Sequence, residues 1–384
     1  MPEPTLADPA ALRRTPLDAW HRAQGARMVP FAGYAMPVQY APPPALAARC
    51  RGGVLAEHLH CRAQAALFDV SHMGQAWLTG PSAAAALERL VPGDIVGLPP
   101  GHQRYTLLTS EAGGILDDLM VANTGEGRLF LVVNASRKDA DFAHIAAALP
   151  AGVELEPLAG RALLALQGPQ AEAVLRRLCP PAAALPFLGV AALPVAGTDC
   201  LISRSGYTGE DGFELSVPAG GAEALAEALL AEPEVAPAGL GARDSLRLEA
   251  GLCLYGSDID TETSPVEAGL AWTIGKRRRQ DWGFPGAAAI RAQLESGPLR
   301  RRVGLRPDGR APARAGAAIL DAEGATVGTV TSGLFSPSLN APIAMGYVHR
   351  ALAAPATHLA LQVRGAALPA VVVRLPFVPH HYVA

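Results

Sequence analysis

The sequence predicts an α+β protein with largely antiparallel sheets and a small β-barrel at its C-terminal end. Three observations predict this class. Helix-like and strand-like segments are mixed along most of the chain. Short Val- and Leu-rich strands, separated by Gly, Pro and Asp turns, replace them from Val303 onward. The 40 glycines and 34 prolines among 384 residues indicate many turns and short elements, which disfavours a helical bundle.

The N-terminal part begins with a short helix over residues 15–24. Residues 28–40 are rich in aromatic residues, Gly and Pro, and they predict a loop with short strands. Alternation of apolar and polar residues predicts one strand over residues 65–78, and helical spacing predicts a helix over residues 82–90. The turn 91–95 follows it.

The middle of the chain repeats an order of strands followed by a helix. The predicted strands and helices are strands 105–108, 114–121 and 129–133, helix 134–149, strand 163–167, helix 169–178, strands 199–203 and 212–217, helix 220–230 and helix 239–253. Residues 275–302, charged and containing Gly and Pro, predict a connector between this part and the barrel.

Composition excludes several classes of protein. The 32 Lys and Arg residues nearly balance the 35 Asp and Glu residues, so we expect no nucleic-acid-binding surface. Half of the residues are hydrophobic and 17% are charged, which excludes intrinsic disorder as the main state. No apolar run approaches the roughly 20 residues of a membrane span, so we expect no membrane association.

The cysteines and the N-terminus predict the compartment. Five scattered cysteines without a CxxC pair indicate neither a disulfide framework nor a zinc site, and a reducing compartment is the simpler context. The first residues have neither the apolar core of a signal peptide nor the amphipathic, Arg-rich character of a transit peptide. We therefore expect a cytoplasmic protein.

The common nucleotide and hydrolase motifs do not occur. The sequence has no P-loop, no His-Glu-x-x-His and no Gly-x-Ser-x-Gly. Residues 239–241 match only the first half of a dinucleotide fingerprint and do not follow a clear strand. Nicotinamide, flavin, metal and serine-hydrolase chemistry all have weak support.

Three segments carry more polar residues than packing requires. In residues 205–214, strand alternation places Glu214 opposite Phe213, so this carboxylate could enter a pocket and accept two parallel N–H donors. An acidic hairpin in water is the alternative. Residues 241–249 interleave Arg243 with other charges at helical spacing, for which ion pairs are the first explanation. Asp94, after Pro92 and Gly93, suits a turn or a helix cap.

Taken together, ordered motifs along nearly the whole chain make it resemble the aminomethyltransferase (T-protein) family of the glycine cleavage system. They include Leu67-Phe-Asp-Val-Ser-His-Met-Gly, Gly206-Tyr-Thr-Gly-Glu-Asp-Gly-Phe-Glu and Ala242-Arg-Asp-Ser-Leu-Arg-Leu-Glu-Ala-Gly-Leu. The other motifs are residues 28–33, 36–40, 105–107, 113–120, 131–135, 166–169, 265–270, 329–333 and 336–339.

The resemblance implies a fold and a reaction. We expect two interlocked folate-binding α+β domains over residues 1–290 and a C-terminal β-barrel over residues 295–384, in a cloverleaf arrangement. The implied reaction is attack of tetrahydrofolate on the aminomethyl group held by the lipoyl arm of the carrier H-protein. It releases ammonia and forms 5,10-methylene-tetrahydrofolate, and it implies neither metal nor flavin.

The resemblance also implies site residues. Asp94 matches the catalytic aspartate near N10 of the folate, although residues 91–93 depart from the usual family sequence. Glu214 matches the carboxylate that reads the pterin, and Arg243 and Tyr382 match substrate contacts. Arg302 matches an arginine near the folate tail. The apolar and aromatic walls of the pocket are matched by Met73, Tyr105, Tyr207 and Trp272.

Two other functions compete with this one. A folate-dependent demethylase acting on a free methylated amine is disfavoured in its oxidative form, because no flavin domain is appended. A non-catalytic folate-binding or iron–sulfur-assembly protein is disfavoured by the complete motif series and by the lack of that group's Cys motif. The basic run from Lys276 to Arg279 is either a solvated stretch or a docking surface for an acidic carrier.

Overall fold

The computed structural model describes residues 12–41 and 52–383. The first elements form a three-stranded sheet with one helix: β1 (Arg13–Arg14), α1 (Asp18–Ala23), β2 (Ala26–Phe31) and β3 (Tyr34–Tyr40). β3 lies in the middle, parallel to β1 and antiparallel to β2. The segment expected to be a loop with short strands is thus a β-hairpin, turned by Ala32 and Gly33, both at positive φ.

The next segment contains all five strands of an antiparallel sheet. Its elements are α2 (Val54–Ala63), β4 (Ala65–Asp69), β5 (Gly74–Thr79), α3 (Ala83–Glu88), β6 (His102–Thr109), β7 (Ile115–Gly125), β8 (Arg128–Val133), α4 (Lys138–Ala147) and β9 (Glu154–Pro157). The strand order is β6-β7-β8-β5-β9. One face buries Leu87, Leu119, Leu131 and Ile145 together with α3 and α4.

A six-stranded sheet follows. Its further elements are β10 (Arg161–Gln167), α5 (Ala171–Leu178), α6 (Pro180–Ala183), β11 (Val190–Val195), β12 (Thr198–Ser203), β13 (Gly212–Pro218), α7 (Ala222–Leu230), β14 (Val235–Pro237) and α8 (Leu240–Glu249). The order is β11-β12-β13-β10-β4-β14, antiparallel except for the edge pair β4 and β14. Leu164, Phe213 and Leu225 lie in its main core.

The single strand predicted over residues 65–78 is wrong, because two strands in different sheets occupy it. β4 pairs with β10 in the six-stranded sheet, and β5 pairs with β8 and β9 in the five-stranded sheet. A turn between them is closed by a hydrogen bond from Met73 N–H to the Val70 carbonyl. The chain therefore crosses from one sheet to the other at residues 70–73.

The two sheets pack against each other through the faces that their helices leave free. Ala122 and Phe130 of the five-stranded sheet contact Val190 and Leu201 of the six-stranded sheet. Side chains on these inner faces are therefore brought into the centre of the molecule. This arrangement positions the candidate site described below.

The C-terminal part is a closed six-stranded barrel, preceded by two helices. The elements are α9 (Arg278–Asp281), α10 (Ala287–Ser296), β15 (Arg300–Pro307), β16 (Ala318–Leu320), β17 (Thr326–Ser336), β18 (Ala341–His349), β19 (His358–Val363) and β20 (Ala366–Val373). The barrel order is β15-β18-β17-β16-β19-β20. The predicted α+β class and the C-terminal barrel are confirmed.

The predicted connector over residues 275–302 is wrong in part, since it contains α9, α10 and the start of β15. Ala287, Ile290 and Leu294 of α10 share one face by helical spacing and pack against Val266 and Phe284. Apolar packing therefore orders a stretch whose charges suggested a linker. None of the helices in residues 12–41 and 52–383 has the length and hydropathy needed to cross a membrane.

Buried polar contacts join the barrel to the rest of the chain. The Glu249 carboxylate, at the end of α8, accepts hydrogen bonds from Ser336 Oγ (2.5 Å), Ser338 N–H (3.0 Å) and Arg62 Nη2 (2.9 Å). Burial would raise the pKa of Glu249, but His58, Ser336 and Ser338 lower it to about 2. The barrel is thus fixed to the helix that also carries Arg243.

Candidate active site

A carboxyl group that the sequence analysis passed over lies on the inner face of the five-stranded sheet. Along β7, Leu119 and Val121 point to the helix-covered core. Alternation places Asp118 on the opposite face. Leu107 is the cross-strand partner of Asp118, and Tyr105, two residues away on β6, shares its face. Asp118 therefore points to the centre of the molecule, beside a predicted wall residue.

The surroundings of Asp118 favour its protonated form. Burial, followed by repulsion from Asp117, raises the pKa of Asp118 to about 7, while Tyr105 and Asn134 act in the opposite direction. Asn134 Nδ2 donates a hydrogen bond of 2.7 Å to Asp118 Oδ1. A carboxyl that titrates near neutrality can hold or release a proton at working pH, as general acid–base chemistry requires.

Aromatic rings line the same region. Tyr105 stacks on Trp272 with ring centroids 5.6 Å apart, and Trp272 is 64% exposed, so this stack lies at the mouth of the site. The Tyr207 hydroxyl donates to the Cys253 carbonyl. Cys253 and Tyr105 belong to one apolar cluster. The predicted walls Tyr105, Tyr207 and Trp272 are thus linked through direct contacts.

Arg243 and Glu214 face this region from the six-stranded sheet and its helix. The Arg243 guanidinium lies 4.8 Å from the centroid of the Tyr207 ring, and burial lowers the pKa of Arg243 while the Glu214 charge opposes that shift. Glu214 accepts a hydrogen bond of 2.9 Å from Ser205 Oγ. Phe213 is completely buried in the main core, so the predicted opposition of Glu214 and Phe213 is confirmed.

Two buried polar atoms near these residues are without hydrogen-bond partners among the residues that the structure describes: Arg243 Nη1 and His72 Nδ1. Burial lowers the pKa of His72 to about 4, and the charge of Arg243 lowers it further. This effect of Arg243 means that the two side chains are neighbours. Met73 packs against the apolar cluster that contains Leu246 of α8. Unpaired buried donors and acceptors are costly, so a polar ligand is expected to satisfy them.

Asp94 lies in the loop after α3 and is engaged by other residues. Its Oδ1 accepts hydrogen bonds from Arg277 Nη2 (2.7 Å) and Gly97 N–H (2.8 Å). Arg277 lowers the pKa of Asp94, and the same guanidinium binds Glu88. None of these contacts involves a predicted wall residue, and they match the turn-residue interpretation of Asp94.

The basic run that follows is largely consumed by internal contacts. Arg277 binds Asp94 and Glu88. Arg278 is buried and donates to the carbonyls of Glu88 and Gly283, while Arg279 donates to those of Ala271 and Ile274. Lys276 is exposed. Arg279 is exposed as well, so the charges of the run that stay exposed and are not paired with an acid in the described residues are those of Lys276 and Arg279.

Arg302 also makes contacts of a structural kind. Its guanidinium donates to the carbonyls of Ala268 and Gly251, each at 2.9 Å, and approaches Met345 Sδ at 2.9 Å. These contacts join the first barrel strand to the loops after α8. The structure therefore does not bring the Arg302 guanidinium against Asp94.

The C-terminal tail returns to the turn 205–211. His381 N–H donates to the Gly209 carbonyl (2.8 Å), so the tail pairs with the turn that carries Tyr207. The Tyr382 ring stacks on Phe187 with centroids 4.6 Å apart. Burial raises the pKa of Tyr382 to about 12. Tyr382 thus lies beside the site turn, with one ring face covered by Phe187.

Family models match both parts of this architecture. Residues 17–278 match the GCVT N-terminal domain, and residues 300–379 match the glycine cleavage T-protein C-terminal barrel domain. The chain belongs to the glycine cleavage T-protein family. This confirms the family predicted from the motifs, and with it the prediction of an aminomethyltransferase of the glycine cleavage system.

Individual T-protein family members are similar over nearly the whole chain. The mitochondrial aminomethyltransferase of Gallus gallus is 53% identical over 382 residues, covering 97% of this chain and 94% of the relative. That of Homo sapiens is 50% identical over 379 residues, covering 97% and 91%. The crystal structure of aminomethyltransferase T from Bartonella henselae matches with a TM-score of 0.91 and 45% identity, covering 97% and 100%.

Proposed function

We propose that this protein transfers a methylene group from an aminomethyl-lipoyl carrier, the H-protein, to tetrahydrofolate. In this reaction the carbon between sulfur and nitrogen loses both bonds and forms two new bonds to N5 and N10 of the folate. The amino group leaves as ammonia, and the sulfur takes a proton to become the dihydrolipoyl thiol. The two hydrogens lost from N5 and N10 account for the protons gained by the products.

We infer that the pterin of the folate lies between the two sheets. The unpaired Arg243 Nη1 is the observation that carries this inference, since a buried guanidinium N–H without an acceptor favours a polar ligand. Glu214 would accept N–H groups of the amino-pyrimidine edge, as a carboxylate does from a guanidinium. Tyr105, Tyr207, Trp272 and Met73 would supply apolar and aromatic walls, and Tyr382 would close one side.

Two carboxylates compete for the role of orienting the nucleophile and stabilising positive charge as it develops. The resemblance assigned it to Asp94, which is paired with Arg277 at a loop. The geometry favours Asp118, which shares a sheet face with Tyr105 and has a pKa of about 7. A neutral-range pKa suits a group that must accept and return protons during the reaction.

The experiment measures ammonia release and methylene-tetrahydrofolate formation from the aminomethyl-lipoyl carrier, with and without tetrahydrofolate. Wild type, Asp118→Asn and Asp94→Asn are compared. We expect folate-dependent turnover in wild type, a fall of 100-fold or more in Asp118→Asn, consistent with general acid–base contributions of about 10²–10⁴, and a smaller loss in Asp94→Asn. The reverse order would return the role to Asp94.

Folate binding without turnover in the wild-type protein would overturn the transferase proposal and favour a non-catalytic folate-binding protein. Turnover of a free methylated amine would favour the demethylase. The cytoplasmic location stays a prediction, and the relatives named above from Gallus gallus and Homo sapiens are mitochondrial by name. Cell fractionation of the native host tests it.

A further inference from the structure

A single side-chain amide connects the two consecutive aspartates of β7. Asn134 Nδ2 donates hydrogen bonds to Asp117 Oδ1 (2.9 Å) and to Asp118 Oδ1 (2.7 Å). The backbone N–H of Asn134 donates to the other oxygen of Asp117, at 3.1 Å. Asp117 therefore holds Asn134 at two points, and Asn134 holds the Asp118 carboxyl.

Asp117 is itself backed by a second acid. Its side chain is completely buried, and it lies beside Asp141 in the first turn of α4, which is 1% exposed. Asp141 Oδ2 has no hydrogen-bond partner in residues 12–41 and 52–383. Burial, followed by the neighbouring carboxyl of Asp141, raises the pKa of Asp117 to about 8. Two buried carboxyls in contact cannot both be charged without a large cost, so they share a proton near neutral pH.

We propose that Asp117 is a positioning residue, which fixes the amide of Asn134 so that it orients the Asp118 carboxyl toward the centre of the site. The inference rests on the proposed role of Asp118. The amide has two N–H groups, and each has an acidic partner of its own. Without Asp117, one of these N–H groups and the backbone N–H of Asn134 lose their acceptors, and the amide is free to turn away from Asp118.

The groups that face Asp118 determine how loss of Asp117 changes the pKa of Asp118. Besides Asp117 and Asn134, four titratable groups face Asp118. They are Tyr105 of β6, Asp141 of α4, Tyr207 of the turn 205–211 and Cys253 of the loop after α8. Asp117 acts on Asp118 in two opposite ways, because its charge repels that of Asp118 and raises the Asp118 pKa, while the Asn134 amide that it holds lowers it. The hydrogen bond from Asn134 favours the charged form of Asp118, so its loss should raise the pKa of Asp118.

The test compares Asp117→Ala, Asp117→Asn and Asn134→Ala. The control is Asp139→Asn, which alters an exposed acid of α4, the helix that carries Asp141. The pKa of Asp118 is followed by infrared difference spectroscopy of its carboxyl band, assigned by its absence in Asp118→Asn. Steady-state kinetics give kcat and the KM for tetrahydrofolate. Thermal unfolding reports stability separately.

We expect Asn134→Ala to raise the pKa of Asp118, and we expect that pKa to be higher in Asp117→Ala than in Asp117→Asn, because both variants lack the Asp117 charge and only Asp117→Ala lacks the acceptor for Asn134. Asp117→Ala and Asn134→Ala should lower kcat about tenfold or more, with a KM for tetrahydrofolate within about twofold of wild type. Asp117→Asn keeps one acceptor oxygen for the Asn134 amide, so its kcat should lie between those of Asp117→Ala and wild type. Asp139→Asn should match wild type in all three measurements.

Equal Asp118 pKa values in Asp117→Ala and Asp117→Asn overturn the inference, and so does a fall in stability alone. If Asp117→Ala does not fold, Asp117→Asn and Asn134→Ala decide the matter by the same criteria. A shifted Asp118 pKa together with full turnover in Asp118→Asn has a different meaning. It leaves the positioning role of Asp117 standing and removes the proposed function of Asp118.

Discussion

Arg204 holds Asp211 by two parallel hydrogen bonds, from Nε to Oδ1 at 3.0 Å and from Nη2 to Oδ2 at 2.6 Å.. The same guanidinium donates to the carbonyls of Ala183 and Leu185. The two residues lie at the two ends of the turn 205–211, and both are buried. This pair therefore fixes the base of the turn that places Tyr207 in the site and receives the C-terminal tail.

Replacing Arg204 should therefore affect both stability and the site. We expect Arg204→Met to lower the free energy of unfolding by about 3 kcal/mol, because it leaves the buried Asp211 carboxylate unpaired. It should also weaken tetrahydrofolate binding. Urea denaturation and binding titration measure the two effects. Arg176→Met is the control, since Arg176 is exposed and binds Glu172, which Arg204 also binds. This variant should lower the free energy of unfolding by less than about 1 kcal/mol. An equal loss in both variants would contradict the role of Arg204 at the base of the turn.

Charge reversal separates the basic run into a surface residue and a structural one. We expect Lys276→Glu to raise the KM for an acidic carrier several-fold at low salt and less at high salt, because exposed charges act at long range and are screened. Arg278→Glu should instead unfold the protein, since Arg278 is buried among carbonyls. Arg364→Glu, on the barrel surface, serves as the control, and a carrier KM insensitive to Lys276→Glu would exclude this docking surface.

The aspartates of β7 and α4 should make the stability fall as pH rises. Burial raises the pKa of Asp118 to about 7 and that of Asp117 to about 8, above the unfolded value of about 3.9. The folded state then binds more protons than the unfolded state, so this contribution is complete below about pH 4 and is lost as pH rises toward 8. Urea denaturation between pH 5 and pH 8.5 should show a smaller decline in Asp117→Asn than in wild type. An identical pH dependence would contradict the raised pKa values.

Trp272 offers a test of the site mouth with little effect on folding. It is 64% exposed and stacks on Tyr105. We expect Trp272→Ala to raise the KM for tetrahydrofolate about tenfold, since aromatic stacking contributes on the order of 1 kcal/mol, with little change in Tm. Trp282→Ala removes a ring that packs on Phe284 instead, so it should lower Tm without changing KM. The opposite pattern would place the folate elsewhere.

The contact between α8 and the barrel should be sensitive to one carboxylate. We expect Glu249→Gln to lower the free energy of unfolding by about 3 kcal/mol, because Arg62 and His58 lose the buried charge that they bind. Thermal unfolding measures it. Glu223→Gln alters an exposed residue of α7 and should have almost no effect, so an equal change in both would argue against the buried network.

Periodicity predicted the elements that bury apolar residues on one face. α7 and β13 follow their predicted ranges closely for this reason. α2 had no such signal, because its buried face carries Glu57 and His58, which are stabilised by hydrogen bonds to distant residues. The crossing at residues 70–73 was missed because apolar and polar residues alternate on both sides of it.

Site residues were predictable only where a motif carried them. Glu214 was placed by strand alternation and by the resemblance, and the structure puts it on the inner face. Asp118 stood inside the motif over residues 113–120, but neither its sequence neighbours nor the resemblance gave it a role. The signal that the sequence offered was a polar residue on the strand face opposite Leu119 and Val121. Whether that face points inward depends on how the two sheets pack, which the sequence of one strand does not show.

The crossing at residues 70–73 also determines the order in which the chain can fold during synthesis. All strands of the five-stranded sheet lie within residues 74–157, so this sheet can form as soon as that segment has been made. β4 precedes it but pairs with β10, more than 90 residues later. At about 5–20 residues per second, β4 waits roughly 5 to 20 seconds for its partner. The candidate site takes residues from both sheets and Tyr382, so it is completed only after β4 has paired with β10 and residue 382 has been made.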